Sequence, residues 1–104
     1  MRIRVDRQNG VHLDEPEDFR RFSLAVERGK PAMADISRAL AGIATLEDEG
    51  SAWVSETALR QWPGLAGDRG WDRGLSAMIE KARPFGWYDP AHARIKAHVE
   101  WLAA

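Results

Sequence analysis

The stretch Arg-Ile-Lys-Ala-His-Val-Glu-Trp at residues 94–101 decides the fold of this chain. Apolar and polar side chains alternate through its whole length, and a period of two predicts a strand with one face in the core. The apolar side consists of Ile95, Ala97, Val99 and Trp101. A short apolar run at residues 85–88 and the turn residues Asp89-Pro90 precede it, so residues 86–101 are predicted to form a β-hairpin.

Two helices and one further strand are predicted ahead of this hairpin. The side chains that recur at helical spacing over residues 71–83 are Trp71, Leu75, Met78, Ile79 and Ala82. This helix must end before the next proline, and the glycine-rich residues 65–70 in front of it predict a loop. Residues 52–54 are a short apolar run typical of a strand, and Ser55 is a candidate N-cap for a short helix over residues 55–62.

The N-terminal part of the chain predicts a hairpin followed by two helices. Asn9-Gly10 lies between two alternating runs and predicts a β-hairpin over residues 2–13, because both turn residues tolerate positive φ. A helix is then predicted between Asp14 and Gly29, since a capping-box pattern opens it and a glycine can close it. Its apolar face is Phe19, Phe22 and Val26. The corresponding face of a second helix, predicted over residues 32–45, is Met33, Ile36, Leu40 and Ile43.

Length and composition indicate one small domain, and the predicted helices and strands make its class α+β. The chain has 104 residues, 44% apolar residues and five tryptophans, which suffices for one core. We therefore expect a single domain over residues 1–104, with a hairpin and helix (1–31) in front of a larger portion (32–104). The absence of cysteine excludes disulfides and thiolate chemistry. No signal peptide or membrane span is recognisable, so the expected location is cytoplasmic.

The order of predicted elements from residue 32 onward resembles a winged helix-turn-helix domain. In this resemblance the first helix, first strand, second helix, recognition helix and wing correspond to residues 32–45, 52–54, 55–62, 71–83 and 86–101. The similarity covers residues 32–101 and lies in topology, without a sequence signature of a specific family.

The resemblance implies DNA binding, with the recognition helix in the major groove and the wing on phosphates, or binding to proteins alone. The candidate nucleic-acid contacts are Arg69, Arg73, Ser76, Arg83, Arg94 and Lys96. Fifteen basic and sixteen acidic residues give a net charge of −1, whereas a nucleic-acid-binding domain usually carries a clustered basic face. A solvated surface of mixed charge is the competing interpretation, and nucleic-acid binding is not favoured.

The tryptophans fall into two groups. By their period, Trp53, Trp71 and Trp101 lie on apolar faces and are expected in the core. Trp62 and Trp87 stand beside Pro63 and Gly86 and have no clear apolar face. An exposed pair at these two positions would indicate a surface for a protein partner.

Two histidines and two carboxylates are candidates for a metal site or for acid–base catalysis. His12 and His98 lie on the polar faces of two predicted strands, with Asp14 and Glu100 two residues further along the same faces. If these strands paired, the imidazoles and carboxylates could bind a metal or act as acid and base. No metal-ligand or nucleophile motif accompanies them, so the sequence assigns no catalytic, cofactor-binding or metal-binding residue.

The sequence therefore favours a small non-enzymatic interaction module that binds a protein partner or self-associates, without a cofactor and without membrane contact. Two alternatives stay open. One is a winged-helix transcriptional regulator that binds DNA, and the other is a small enzyme or metal site that uses His12, His98 and Glu100.

Overall fold

The strand predicted at residues 94–101 is present and lies at the centre of a curled sheet. The computed structural model describes residues 1–27 and 33–102. Its strands are β1 (Arg2–Val5), β2 (Val11–Asp14), β3 (Ser23–Val26), β4 (Ala44–Leu46), β5 (Ser51–Ser55), β6 (Tyr88–Asp89) and β7 (Arg94–Trp101). Its helices are α1 (Met33–Ala39), α2 (Glu56–Arg60) and α3 (Arg69–Ala82), and a 3-10 turn (Arg83–Phe85) follows α3.

The strands form one sheet in the order β2-β1-β3-β7-β5-β4, and the short β6 also pairs with β7. β3 runs parallel to both β1 and β7, while the other pairs are antiparallel. Along one edge of β7, β6 pairs with residues 94–95 and β3 pairs with residues 98–101. An N-terminal strand, β3, and a C-terminal strand, β6, therefore pair with the same edge of β7.

The core lies between one face of this sheet and the described helices. Alternate residues of each long strand enter it, as the burial of Ile95, Ala97 and Val99 shows for β7. The main contributions from the helices, and from the turn that follows α1, are Ile36, Leu40, Leu59, Trp71, Leu75 and Ile79. The other face of the sheet carries the polar side chains and is not covered by any described helix.

The prediction of a helix between Asp14 and Gly29 is wrong. Residues 15–22 form turns and Ser23–Val26 is the strand β3. Leu24, Ala25 and Val26 are all fully buried because β3 lies between β1 and β7. Such a continuous apolar run fits a buried strand as well as a helix, so its period alone does not identify it. The predicted end of this helix at Gly29 lies outside the described residues.

The second predicted helix, over residues 32–45, is present but shorter. α1 ends at Ala39, and residues 44–46 turn back into β4, which pairs with β5. Gly42, at a left-handed φ of +80°, ends the helical run, and the residues after it pair with β5. Residue 32, the predicted start, lies outside the described residues.

Most of the remaining local predictions are confirmed, but α3 begins at Arg69, within the residues expected to form a loop. Hairpins join β1 to β2 and β6 to β7, and β5, α2 and α3 lie at the predicted positions. The hairpin expected as a wing is built into the sheet, since β7 is paired along both edges. Trp53 is not in the core. Its neighbours Ala52 and Val54 face the core, and the Trp53 ring lies on the polar face, 4.7 Å from the Arg94 guanidinium. Trp101, also expected in the core, is only partly buried and packs against it. Among the described residues, no helix has the length and apolar character needed to cross a bilayer.

Candidate binding cleft

A cleft of about 640 Å³ opens between the C-terminal half of α3, the segment of residues 15–22 and the middle of β7. It wraps around the edge of β7 where β6 ends and β3 has not begun, so side chains from both faces of the strand reach it. Its bulky apolar lining is Phe19, Phe22, Met78, Phe85, Trp87 and Ile95. Most of these large apolar side chains are aromatic, and the cleft lies at a break in the sheet.

Phe85 and Trp87 form the outer lip of the cleft. They are exposed by 66% and 49%, and they are the large apolar side chains that the described residues leave exposed. Their rings stack with centroids 4.6 Å apart and an interplanar angle of 21°. Gly86 between them has φ +75°, a left-handed conformation that glycine adopts without strain. This backbone conformation lets both rings project to the same side.

The opposite wall is fastened to α3 by two contacts. The Phe19 ring lies so close to Gly74 that a Cβ there would be 2.3 Å from Phe19 Cε2. The Trp71 indole N–H donates a hydrogen bond of 2.7 Å to the carbonyl of Pro16. The segment of residues 15–22 is therefore held on α3 at two points, Pro16 and Phe19. The wall that carries Phe19 and Phe22 is held there by these two tertiary contacts, in addition to local turn hydrogen bonds within residues 15–20.

A polar network anchors the strand that follows Trp87. The Tyr88 hydroxyl donates to Glu56, whose carboxylate also accepts from Arg60 at 2.8 Å. The hydrogen bond to Glu56 raises the pKa of Tyr88 above its ordinary value. Partial burial raises the pKa of Glu56, but the bonds from Tyr88 and Arg60 outweigh it and lower that pKa. The network joins α2 to β6 beside the aromatic lip.

The charged side chains of the lining are all basic. They are Arg20, Lys81 and Lys96, with His98 beside them, and no carboxylate lines the cleft. Within residues 1–27 and 33–102, neither Arg20 nor Lys81 makes an ion pair through its side chain. Lys96 pairs with Glu47 at 3.2 Å, and both side chains are more than one-third exposed. The site therefore combines an aromatic interior with cations that remain largely available.

No protein family, curated protein or solved structure matches this chain. An aromatic lining with cations beside it is complementary to a ligand that carries an apolar group next to negative charge. The described residues contain no cluster of three or more histidine, aspartate or glutamate side chains placed to hold a metal ion.

The two tryptophans predicted to form a partner surface lie in different environments. Trp87 is exposed and belongs to the lip of the cleft. Trp62 is partly buried and packs against the core. The structure therefore places an exposed aromatic pair at Trp87, but its second member is Phe85.

The predicted nucleic-acid contacts lie on two separate surfaces. Arg69, Arg73, Ser76 and Arg83 follow the exposed side of α3 and the turn after it, whereas Arg94 and Lys96 project from the polar face of β7. Three of the cations have acidic partners, in the pairs Arg83–Glu80 (2.8 Å), Arg94–Asp89 (2.9 Å) and Lys96–Glu47 (3.2 Å). Ser76 accepts a hydrogen bond from Arg60. Arg69 and Arg73 make no ion pair with any described residue.

The structure does not bring His12 and His98 together. β1 and β3 lie between their strands, β2 and β7. His12 pairs with Asp6 in its own hairpin, with 2.6 Å between Nε2 and Oδ2. The two carboxylates proposed to join them bind arginines instead, in the pairs Arg4–Asp14 (2.7 Å) and Arg2–Glu100 (3.1 Å). The polar face of the sheet thus consists of arginine–carboxylate pairs at these positions.

Sequence reasoning missed most of the cleft. The spacing of Phe19 and Phe22 predicts the face of a helix that does not form, and the bare helix face at Gly74 carries no signal in the sequence. Phe85 was detectable, because Pro84 and Gly86 on either side leave it neither in the helix nor in a paired strand. Arg20 and Lys81 are far apart in sequence, and only the packing of residues 15–22 on α3 brings them to one site.

Proposed function

We propose that this protein is a small interaction module whose cleft binds an apolar segment of a protein partner. The observation that carries the proposal is the stacked, exposed pair of Phe85 and Trp87 at the lip of an aromatic cleft. Single exposed apolar side chains are ordinary on protein surfaces, but adjacent aromatic ones over a concave site are typical of binding surfaces.

The fixed position of both walls supports this proposal. Gly86 orients the lip, and the contacts of Phe19 and Trp71 hold the opposite wall on α3. A preformed site avoids the loss of conformational entropy that binding would otherwise require, so a short segment can gain useful affinity there. Aromatic side chains in such sites commonly provide the largest share of binding energy.

Selection of displayed random peptides on the immobilised full-length chain tests the proposal. We expect enrichment of sequences with a large apolar residue, and we expect the double substitution Phe85→Ala and Trp87→Ala to weaken their binding at least about tenfold, as for central interface residues. Arg38→Ala is the matched control, because Arg38 is exposed on α1 and away from the cleft. No enrichment over the double variant would overturn the proposal.

Self-association through the same lip is the competing outcome. Analytical ultracentrifugation of the wild-type chain over a range of concentrations distinguishes it. A dimer that disappears in the Phe85→Ala and Trp87→Ala variant would replace the protein partner by a second copy of this chain. A monomer at all concentrations, together with peptide enrichment, supports a separate partner.

We propose a winged-helix DNA-binding regulator as the second candidate. It is favoured by the order α1-β4-β5-α2-α3-β6-β7 with β7 between β5 and β6, and by Arg69 and Arg73 on α3, which make no ion pair with a described residue. A gel-shift assay in low salt tests it, since phosphate contacts are strongest there. Retardation of duplex DNA that is lost in the Arg69→Ala and Arg73→Ala variant would support it. No retardation at low ionic strength would eliminate it.

A further inference from the structure

We propose that the partner segment bound by the cleft is acidic, with carboxylate side chains next to its apolar anchor. This inference rests on the proposed protein-binding function and specifies its partner. It is carried by the charge of the lining, which contains Arg20, Lys81 and Lys96 but no carboxylate. The asymmetry is local, because the whole chain has sixteen acidic and fifteen basic residues.

The three cations surround the aromatic part of the cleft. Arg20 follows Phe19 on one wall, and Lys81 lies one helical turn before Phe85 on the other. Lys96 reaches the cleft from the polar face of β7. A segment whose apolar side chain enters between the walls therefore has cations on each side of its neighbouring residues, where carboxylates would form charge-assisted hydrogen bonds.

The cations are available to such a ligand. The side chains of Arg20 and Lys81 make no ion pair in the part of the chain that the structure describes. Only Lys96 would have to exchange a partner, and its contact with Glu47 is an exposed ion pair, a class that contributes little to stability. Binding an acidic segment therefore displaces at most the contacts of Lys96, whereas a basic segment would be repelled by the unpaired charges of Arg20 and Lys81.

Fluorescence anisotropy with three capped decapeptides tests the inference on the full-length chain. The first has a Phe-Leu pair flanked by glutamates, the second has glutamines in place of the glutamates, and the third has alanines in place of the Phe-Leu pair. We expect the first to bind about tenfold more tightly than either of the others at low salt, and the preference over the second to shrink as salt screens the charges. In the Lys81→Gln and Arg20→Gln variants this preference should fall, whereas Arg7→Gln in the β1–β2 turn should leave it unchanged.

The outcomes separate this inference from the function on which it rests. Equal binding of the acidic and glutamine peptides overturns the acidic specificity while leaving peptide binding intact. Failure of all three peptides, when display-selected peptides bind, also overturns it. If no peptide binds at all, the proposed function itself fails. Displacement of the acidic peptide by an equal concentration of single-stranded oligonucleotide would overturn the inference in favour of a nucleic-acid ligand. Circular dichroism confirms that each variant is folded.

Discussion

The Phe19 ring lies directly against the backbone of Gly74, where a Cβ would come within 2.3 Å of Phe19 Cε2 and 2.6 Å of Cζ. This contact joins residues 15–22 to α3 and positions one wall of the cleft. A ring flanked by the adjacent Trp71 ring, whose centroid is 6.2 Å away, has little room to move. The close approach therefore requires glycine at position 74.

We predict that Gly74→Ala destabilises the protein by about 1–3 kcal/mol, because the added methyl group overlaps the Phe19 ring. Gly70→Ala on the same helix is the matched control, since its Cβ would meet only Asp68 Oδ1 at 3.5 Å. That substitution should be neutral or stabilise by about 0.5–1 kcal/mol through helix propensity. Urea denaturation measures both. Equal effects of the two substitutions would contradict the steric argument.

Trp71→Phe should destabilise the segment of residues 15–22 in particular. It removes the donor to the Pro16 carbonyl, and leaving a partly buried acceptor without its bond costs on the order of 1–3 kcal/mol. Hydrogen exchange should accelerate in residues 15–22 more than in the β1–β2 hairpin. Trp101→Phe is the control, because its N–H bonds the carbonyl of Glu49 at an exposed position, where water can replace it. A uniform increase across the chain would contradict the local role.

Gly86→Ala should destabilise the fold by about 1–2 kcal/mol, because a Cβ is unfavourable at the left-handed φ of +75°. No atom lies within 4 Å of the position such a Cβ would take, so the effect is one of backbone conformation and not of packing. Gly86→Asn should cost less, since asparagine visits this region more readily. Thermal denaturation compares the two variants. Equal loss in both would point to a steric cause.

The Arg4–Asp14 ion pair predicts a pH dependence of stability. The hydrogen bond from Arg4 lowers the pKa of Asp14 below its ordinary value of 3.8. A lowered folded pKa gives stabilisation that is complete above the unfolded pKa and is lost as the pH falls through the folded value. The free energy of unfolding should therefore fall in acid less steeply in Arg4→Gln than in the wild type. Arg7→Gln should behave like the wild type, and carboxyl NMR titration of Asp14 checks the cause directly.

The single tyrosine of the chain allows its pKa to be measured by absorbance alone. The bond to Glu56 raises the pKa of Tyr88, so its phenol should ionise at higher pH in the wild type than in Glu56→Gln. Because the folded pKa is the higher one, this contribution to stability is complete below the unfolded pKa and is lost as the pH rises through the folded value. Glu17→Gln, at an exposed position, serves as the control. Identical titration of all three proteins would contradict the role of Glu56.

The elements that the sequence predicted correctly are those with a local cause. Asn9 adopts φ +65° in the hairpin turn, Ser55 caps α2 through its side chain, and the apolar face of α3 is buried as its spacing requires. Each of these depends on residues within one turn or one strand. The cleft was not predictable in this way, because its two walls are about 60 residues apart in the sequence.

The alternation over residues 94–101 by itself determined that β7 is a strand with one buried face. It did not determine what β7 pairs with, since hydrogen bonding along both edges depends on segments that approach from elsewhere in the chain. The tertiary structure decided that β3, and not a helix, occupies residues 23–26, because pairing with β1 and β7 satisfies its backbone and buries Leu24 and Val26. The gap between β3 and β6 along β7, and with it the cleft, follows from that pairing.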